Sequence, residues 1–187
     1  MDSVKQILSR LITPSAFVEV DYSGRYGSAI LKEPQCEDSQ IDLRGIPKDT
    51  LIIDVDSFPK TKDFFMDKSG YAKRADYIIV DTQAKNIIYL EMKRASALDG
   101  REGLQRQVAG AAAIMYYCQK VFVLMNNKQA FLKDFKEHFV AVLHTSLKKR
   151  GTKPKSFNGS GESVEELKTI QYPTKLHYKM LTSKENK

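Results

Sequence analysis

Lys73-Arg74-Ala75-Asp76-Tyr77-Ile78-Ile79-Val80 is followed, after a short polar link, by Ile87-Ile88-Tyr89-Leu90-Glu91-Met92-Lys93. Two apolar runs bounded by charge read as two strands. The link, Thr82-Gln83-Ala84-Lys85, is short enough for a hairpin turn. A turn centred between Gln83 and Ala84 makes paired residue numbers add up to 167, and Asp76 with Glu91 satisfies that sum. Strand side chains alternate between faces, so Glu91 and Lys93 point the same way, with Asp76 across from Glu91. The pattern therefore predicts two carboxylates and an ammonium on one patch of sheet.

Working outward, Val4, Ile7, Leu8, Leu11 and Ile12 fall at helical spacing behind the capping residues Asp2 and Ser3, and Pro14 stops that helix. The segment from Phe17 to Pro47 mixes short β-prone runs with Gly, Pro and Asp breakers. Leu51 to Asp56 reads as a strand, and Lys60 to Gly70 as a polar connection. After Lys93 the period changes from two to about 3.6. Leu104, Val108, Ala111, Met115 and Cys118 form one stripe of a helix expected over roughly 101–119. Its small middle, Ala109-Gly110-Ala111-Ala112-Ala113, suits close approach to a sheet. Lys120 to Asn126 is expected to be the next strand, entered by a crossover. Gln129 to Phe139 reads as helix, Phe139 to Leu143 as strand, 147–161 as a basic loop, and Leu176, Tyr178 and Met180 as a last strand. The expected class is α/β: a mixed central sheet flanked by helices in one domain spanning 1–187, with a core over about 2–126 and a basic C-terminal extension over about 127–187.

Composition narrows the function classes. No run approaches 18 uninterrupted apolar residues, and the N-terminus lacks the basic and apolar regions of a secretion signal. Two distant cysteines, Cys36 and Cys118, suggest neither a disulfide framework nor a zinc site, so a cytoplasmic, reducing setting without a membrane is expected. The formal charge is +7, and residues 128–187 carry 13 of the 30 Lys/Arg against 6 of the 23 Asp/Glu, leaving 17 of each in the rest. That asymmetry suits a polyanionic partner, although a lysine-rich solvated surface gives the same count. His138, His144 and His177 form no recognisable ligand pair.

The acid–acid–lysine patch has a definite chemistry. Cleaving a phosphodiester requires neutralising the phosphate, activating water and stabilising a leaving alkoxide. Asp76 and Glu91, helped by the Met92 backbone carbonyl, suit Mg²⁺, which takes few carboxylates, and Mn²⁺ is expected to substitute. Lys93 would position water or stabilise developing charge. Asp56, at the end of its strand, is the first choice for an additional acid, ahead of Asp54 and Glu19. Lys73, Arg74, Arg94, Arg101 and Arg106 surround the proposed site as phosphate contacts, and Lys148, Lys149 and Arg150 form a second basic cluster.

Ala75-Asp76 followed fifteen positions on by Glu91-Met92-Lys93 resembles the PD-(D/E)XK nuclease superfamily, over roughly residues 2–126. The resemblance implies an αβββαβ restriction-endonuclease-like core, with Asp76 and Glu91 as metal-binding acids and Lys93 as the catalytic lysine. Ala75 departs from the motif's proline. The superfamily often brings a glutamine from the following helix, which makes Gln107, on the apolar stripe, the first choice and Gln105 the second. The implied activity is metal-dependent cleavage of nucleic acid, with DNA as the first expectation and a homodimer where both strands are cut. An RNA-directed nuclease and a silent nuclease-like module that binds nucleic acid or protein are the competing expectations.

Overall fold

The computed structural model describes residues 3–33, 40–63, 65, 70–94, 100–144, 159–171 and 175–183. Helix α1 (Val4–Leu11) begins with a reciprocal cap: the Gln6 amide donates to Ser3 Oγ and the Ser3 amide donates to Gln6 Oε1. Its buried face, Ile7 and Leu8, lies over the sheet, and the chain leaves through Pro14.

Strands β1 (Gly27–Lys32), β2 (Gln40–Ile46) and β8 (Lys175–His177) form a three-stranded sheet in the order β1-β2-β8. Strands β3 (Thr50–Asp54), β4 (Tyr77–Asp81), β5 (Asn86–Arg94), β6 (Lys136–His144) and β7 (Lys168–Gln171) form a five-stranded sheet in chain order. Both sheets are mixed. In the larger one β3, β4 and β5 run antiparallel, while β5, β6 and β7 run parallel. The mixed α/β class agrees with the sequence expectation.

Every residue of β4 is buried because both faces of the sheet are covered. Ile78, Val80, Ile87 and Tyr89 pack with Leu8 of the first helix, with Ile12 just past its end, and with Leu104, Val108, Ala111 and Met115 of helix α2 (Gly100–Asn126). Tyr77, Ile79, Ile88 and Leu90 face the other way, onto Leu31, Ile41 and Leu43 of the small sheet. Each fully buried Leu or Ile contributes about 1.5–3 kcal/mol, so the double burial of β4 anchors the layers.

Several sequence expectations are corrected. The stretch Lys120–Asn126 is the end of α2, not a strand. No breaker separates Gln119 from Lys120, and the helix runs on until Asn127 takes a left-handed conformation (φ 48°). The parallel partner of β5 is instead β6, so the large sheet continues well past residue 126. The helix expected over Gln129 to Phe139 is a turn at Leu132–Phe135 followed by the start of β6. The last strand stops at His177, and Lys179–Thr182 forms a short helix, α3, which leaves Met180 exposed. Strand β2 was hidden among breakers, yet its Ile41 and Leu43 are completely buried. Tyr116 and Tyr117 are exposed on α2.

Helix α2 is also long and apolar enough, by length and composition alone, to cross a membrane, with a mean hydropathy of 1.5 in its most apolar window. Counting only uninterrupted apolar runs missed it, because Gln107, Gln119 and Lys120 interrupt the stretch.

The small centre of α2 has a specific use. A Cβ placed on Gly110 would lie 1.9 Å from the Lys73 carbonyl oxygen and 3.2 Å from the Arg74 Cα, so the helix backbone rests directly on the entry to β4. Gly110→Ala should therefore cost about 1–3 kcal/mol by overpacking, read as a lower urea midpoint. Ala113→Ser, on the exposed side, should stay within about 0.5 kcal/mol of the parent. A neutral Gly110→Ala would show that α2 does not need this close approach.

Candidate active site

The β4–β5 hairpin decides where the acids go. Tyr77 pairs with Leu90, Ile78 with Tyr89 and Asp81 with Asn86, all on the expected register. The turn is shaped by Asp81, whose Oδ1 accepts the Gln83 and Ala84 amides, both at 3.0 Å, while its Oδ2 accepts the Tyr178 hydroxyl at 2.8 Å. One step beyond Tyr77 and Leu90 stand Asp76 and Glu91.

Asp76 is held from two directions. Its backbone carbonyl accepts the Val55 amide at 2.9 Å, and its Oδ2 accepts the Met92 amide at 2.6 Å. A strand residue sends its N–H and C=O to the same side. The Met92 carbonyl is therefore directed toward Asp76, as a shared ligand would require.

Glu91 is completely buried (0% exposed). Neither of its carboxylate oxygens has a hydrogen-bond partner. Lys93 Nζ lies 3.3 Å from Glu91 Oε1 in an ion pair. From α2, Gln107 adds a buried Oε1 that is also without a partner. The residue as a whole is half-buried, between the buried Leu104 and Val108.

A fourth acid escaped the sequence reading. The Tyr77 hydroxyl donates to the Lys32 carbonyl at 2.6 Å and accepts the Lys32 amide at 2.9 Å, clamping the end of β1 to the start of β4. The next residue, Glu33, is buried, has an unpartnered Oε2, and acts electrostatically on Asp76, Glu91 and Lys93. Its only local signal was an acid directly after a β-prone run. Nothing in the sequence tied that run to Asp76.

Burial dominates the electrostatics. It pushes the Asp76 carboxyl up to about 7; the Met92 amide works against this, Asp56 and Glu33 add to it, and Lys93 pulls it down. Glu91 is raised well above the usual carboxylate range, first by burial and then by Asp76, with Lys93 opposing. Burial alone would lower Lys93, but Glu91, Asp76 and Glu33 together outweigh it and leave its pKa raised.

Asp56 sits in a 3-10 turn (Val55–Ser57) with its side chain 44% exposed and 3.9 Å from Arg74. Burial raises its pKa while Arg74 lowers it, and its charge reaches both Asp76 and Lys93. Asp54 instead caps that turn, accepting the Asp56 amide and the Ser57 hydroxyl. Glu19 is exposed.

The expected phosphate contacts separate into groups. Arg74 is nearly buried and donates to the Pro59 and Phe58 carbonyls. Arg101 and Gln105 both donate to the Glu165 carbonyl, which ties α2 to the C-terminal segment. Arg106 pairs with Glu102 on its own helix and, with Lys73, lines a cleft beside α2. Arg94 ends β5, and its side chain lies outside the described residues, as do Lys148, Lys149 and Arg150.

Because the folded-state carboxyl pKa values are raised, their stabilising contribution is complete below the unfolded values, near 4, and is lost as pH rises through the folded ones. Metal-free protein should thus lose stability between about pH 4 and pH 7, measured as a falling urea midpoint. Glu91→Gln should flatten that slope, whereas a parental slope in the variant would refute the assignment.

Compared with known proteins, the chain matches no family model, no curated sequence and no solved structure.

Proposed function

We propose that the chain is a metal-dependent nuclease of PD-(D/E)XK type, hydrolysing phosphodiester bonds in nucleic acid, with DNA as the first substrate to test. The observation that carries this reading is the meeting of Asp76, Glu91 and Lys93 across one hairpin, with both oxygens of a completely buried Glu91 lacking hydrogen bonds. The large sheet lends support, since β3, β4 and β5 are followed by α2 and then by the parallel strand β6, although β1 and β2 intervene after α1 and the closing strand is β6 and not the expected 120–126.

The residues suit a divalent cation. Glu91 Oε1 faces the Lys93 ammonium, whereas the buried Glu91 Oε2 and Glu33 Oε2 have no hydrogen-bond partner, which is costly unless something positive or protic satisfies them. Among the described residues no three His, Cys, Asp or Glu side chains converge into a closed cage. An Mg²⁺ site needs none, since one or two carboxylates and water suffice. Asp76, Glu91 and the Met92 carbonyl are the proposed ligands, with Glu33 and Asp56 supplementing the negative field. When bound, the ion would neutralise the phosphate and make a nearby water more acidic.

The chain's own residues do the rest. Asp76 is oriented by the Met92 amide through Oδ2, and Oδ1 is the oxygen proposed to meet the ion. Lys93, with its raised pKa, is a cation at neutral pH. It is therefore a stabiliser of negative charge building on the phosphate, not a resting-state base. Gln107 offers an amide from the helix side to orient water or a phosphate oxygen. Cutting both strands of a duplex calls for two such sites, hence a homodimer.

The test is cleavage of duplex, single-stranded and branched DNA and of RNA, with Mg²⁺ or Mn²⁺. Metal-dependent cutting should fall by about 10²-fold or more in Glu91→Ala and Lys93→Ala. Glu33→Gln should raise the metal concentration needed for half-maximal rate. Unchanged cutting in Glu91→Ala would move the chemistry elsewhere. Metal-indifferent binding without cutting would make the chain a silent module.

A further inference from the structure

Beside the acid patch, α2 and the turn before β4 enclose an open cleft of about 380 Å³, lined by Gly70, Tyr71, Lys73, Arg106, Ala109 and Gly110. That volume lies in the range of small-molecule sites. The turn is well anchored. The Lys73 amide donates to the Gly70 carbonyl at 3.2 Å, and Thr61 Oγ1 donates to the Ala72 carbonyl at 2.7 Å. Gly70 has a φ of +72°, a conformation that favours glycine.

The Arg106 guanidinium and the stem of Lys73 lie against that glycine. A Cβ there would meet Arg106 Nη1 at 3.2 Å and Cδ at 3.4 Å, and Lys73 Cδ at 3.7 Å. Arg106 also pairs with Glu102 at an exposed position, where an ion pair is weak. At the rim stands Tyr71, 72% exposed, an aromatic ring with no place in either core cluster.

We infer that this cleft binds one unpaired nucleotide next to the scissile phosphate, with its phosphate between Lys73 and Arg106 and its base stacked on Tyr71. Cationic side chains with an adjacent exposed aromatic ring are what an unpaired nucleotide needs, because its phosphate and its π-face are then met together. A base inside a duplex shows no free face and would have to be unstacked first. Lys73 precedes Asp76 by three residues, so the two are within about 10 Å along the backbone. Arg106 is the chain neighbour of Gln107 on the same helix. The cleft and the acid patch thus meet adjacent parts of one strand. The consequence is a preference for overhangs, branches or single strands over continuous blunt duplex. This inference rests on the nuclease reading for the word scissile, but its binding test does not.

The experiment is fluorescence anisotropy with the full chain in EDTA, so that no cutting occurs. The probes are a dye-labelled blunt DNA duplex, the same duplex with a single-stranded overhang, and the overhang strand alone. The parent should bind the overhang and single-strand probes about 10-fold more tightly than the blunt duplex. Tyr71→Ala should abolish that preference while Tyr71→Phe keeps it. Arg106→Gln and Lys73→Gln should each reduce the slope of log affinity against log salt by about one. Equal binding of blunt and overhang probes by the parent overturns the inference. So does a Tyr71→Ala chain that folds normally by circular dichroism and keeps the preference. If the preference holds and depends on Tyr71 while no metal produces cutting, the subsite stands and the hydrolytic reading falls.

Discussion

The register of one hairpin organises this molecule. Asp81 collects two turn amides and a tyrosine hydroxyl, and so holds the turn between Asp81 and Asn86 in one geometry. From that turn every pair back to Tyr77 and Leu90 is set. A slip of one residue would flip each side chain of β5, sending Glu91 and Lys93 into the face occupied by the small sheet. Apolar burial on both faces forbids this. Ile87 and Tyr89 belong to the helix side and Ile88 and Leu90 to the sheet side, so the packing that stabilises the fold also aims the acids.

The site carries an unresolved charge balance in return. Glu91, Asp76 and Glu33 share a buried patch in which Lys93 supplies the positive charge, and Asp56 adds a further negative field. Desolvation is the largest influence on both central acids and exceeds what one ammonium restores. Such a patch is stable when protonated or when it gains positive charge from outside. The doubly covered sheet carries that strain: the cost falls on a few carboxylates, whereas the core gains from dozens of fully buried apolar groups.

Much of this was legible before any coordinates, and the failures have identifiable causes. The hairpin was readable because two apolar runs flank a four-residue polar link, and residue counting then gives the register. Ser3, the apolar spacing from Val4 to Ile12 and Pro14 announced the first helix. The end of α2 was misread because Val121-Phe122-Val123-Leu124-Met125 suits a strand by propensity and a helix by continuity, and continuity prevailed where no breaker stood. Reading a strand there left the true parallel strand, Lys136–His144, to be split between a supposed helix and a shorter strand. Glu33 was invisible for a different reason. Its place depends on Tyr77 gripping the Lys32 backbone across 45 positions of sequence, a contact that local periodicity does not encode.

Helix α2 shows how one element can serve both stability and chemistry. At about 100° per residue, neighbouring positions diverge around the axis. Leu104, Val108 and Ala111 enter the core, and Gln107 carries a buried amide oxygen between two of those turns. Arg106, Ala109 and Gly110 turn to the cleft. Gly110 joins these roles, since the absent Cβ lets the helix touch the Lys73–Arg74 backbone just before Asp76. Any shift of the helix must therefore move the amide, the basic cleft and the entry to β4 together. The acid patch and the cleft are consequently fixed relative to each other by a backbone contact, not by flexible side chains. That rigidity is what a site needs if it is to hold one nucleotide while acting on the next phosphate.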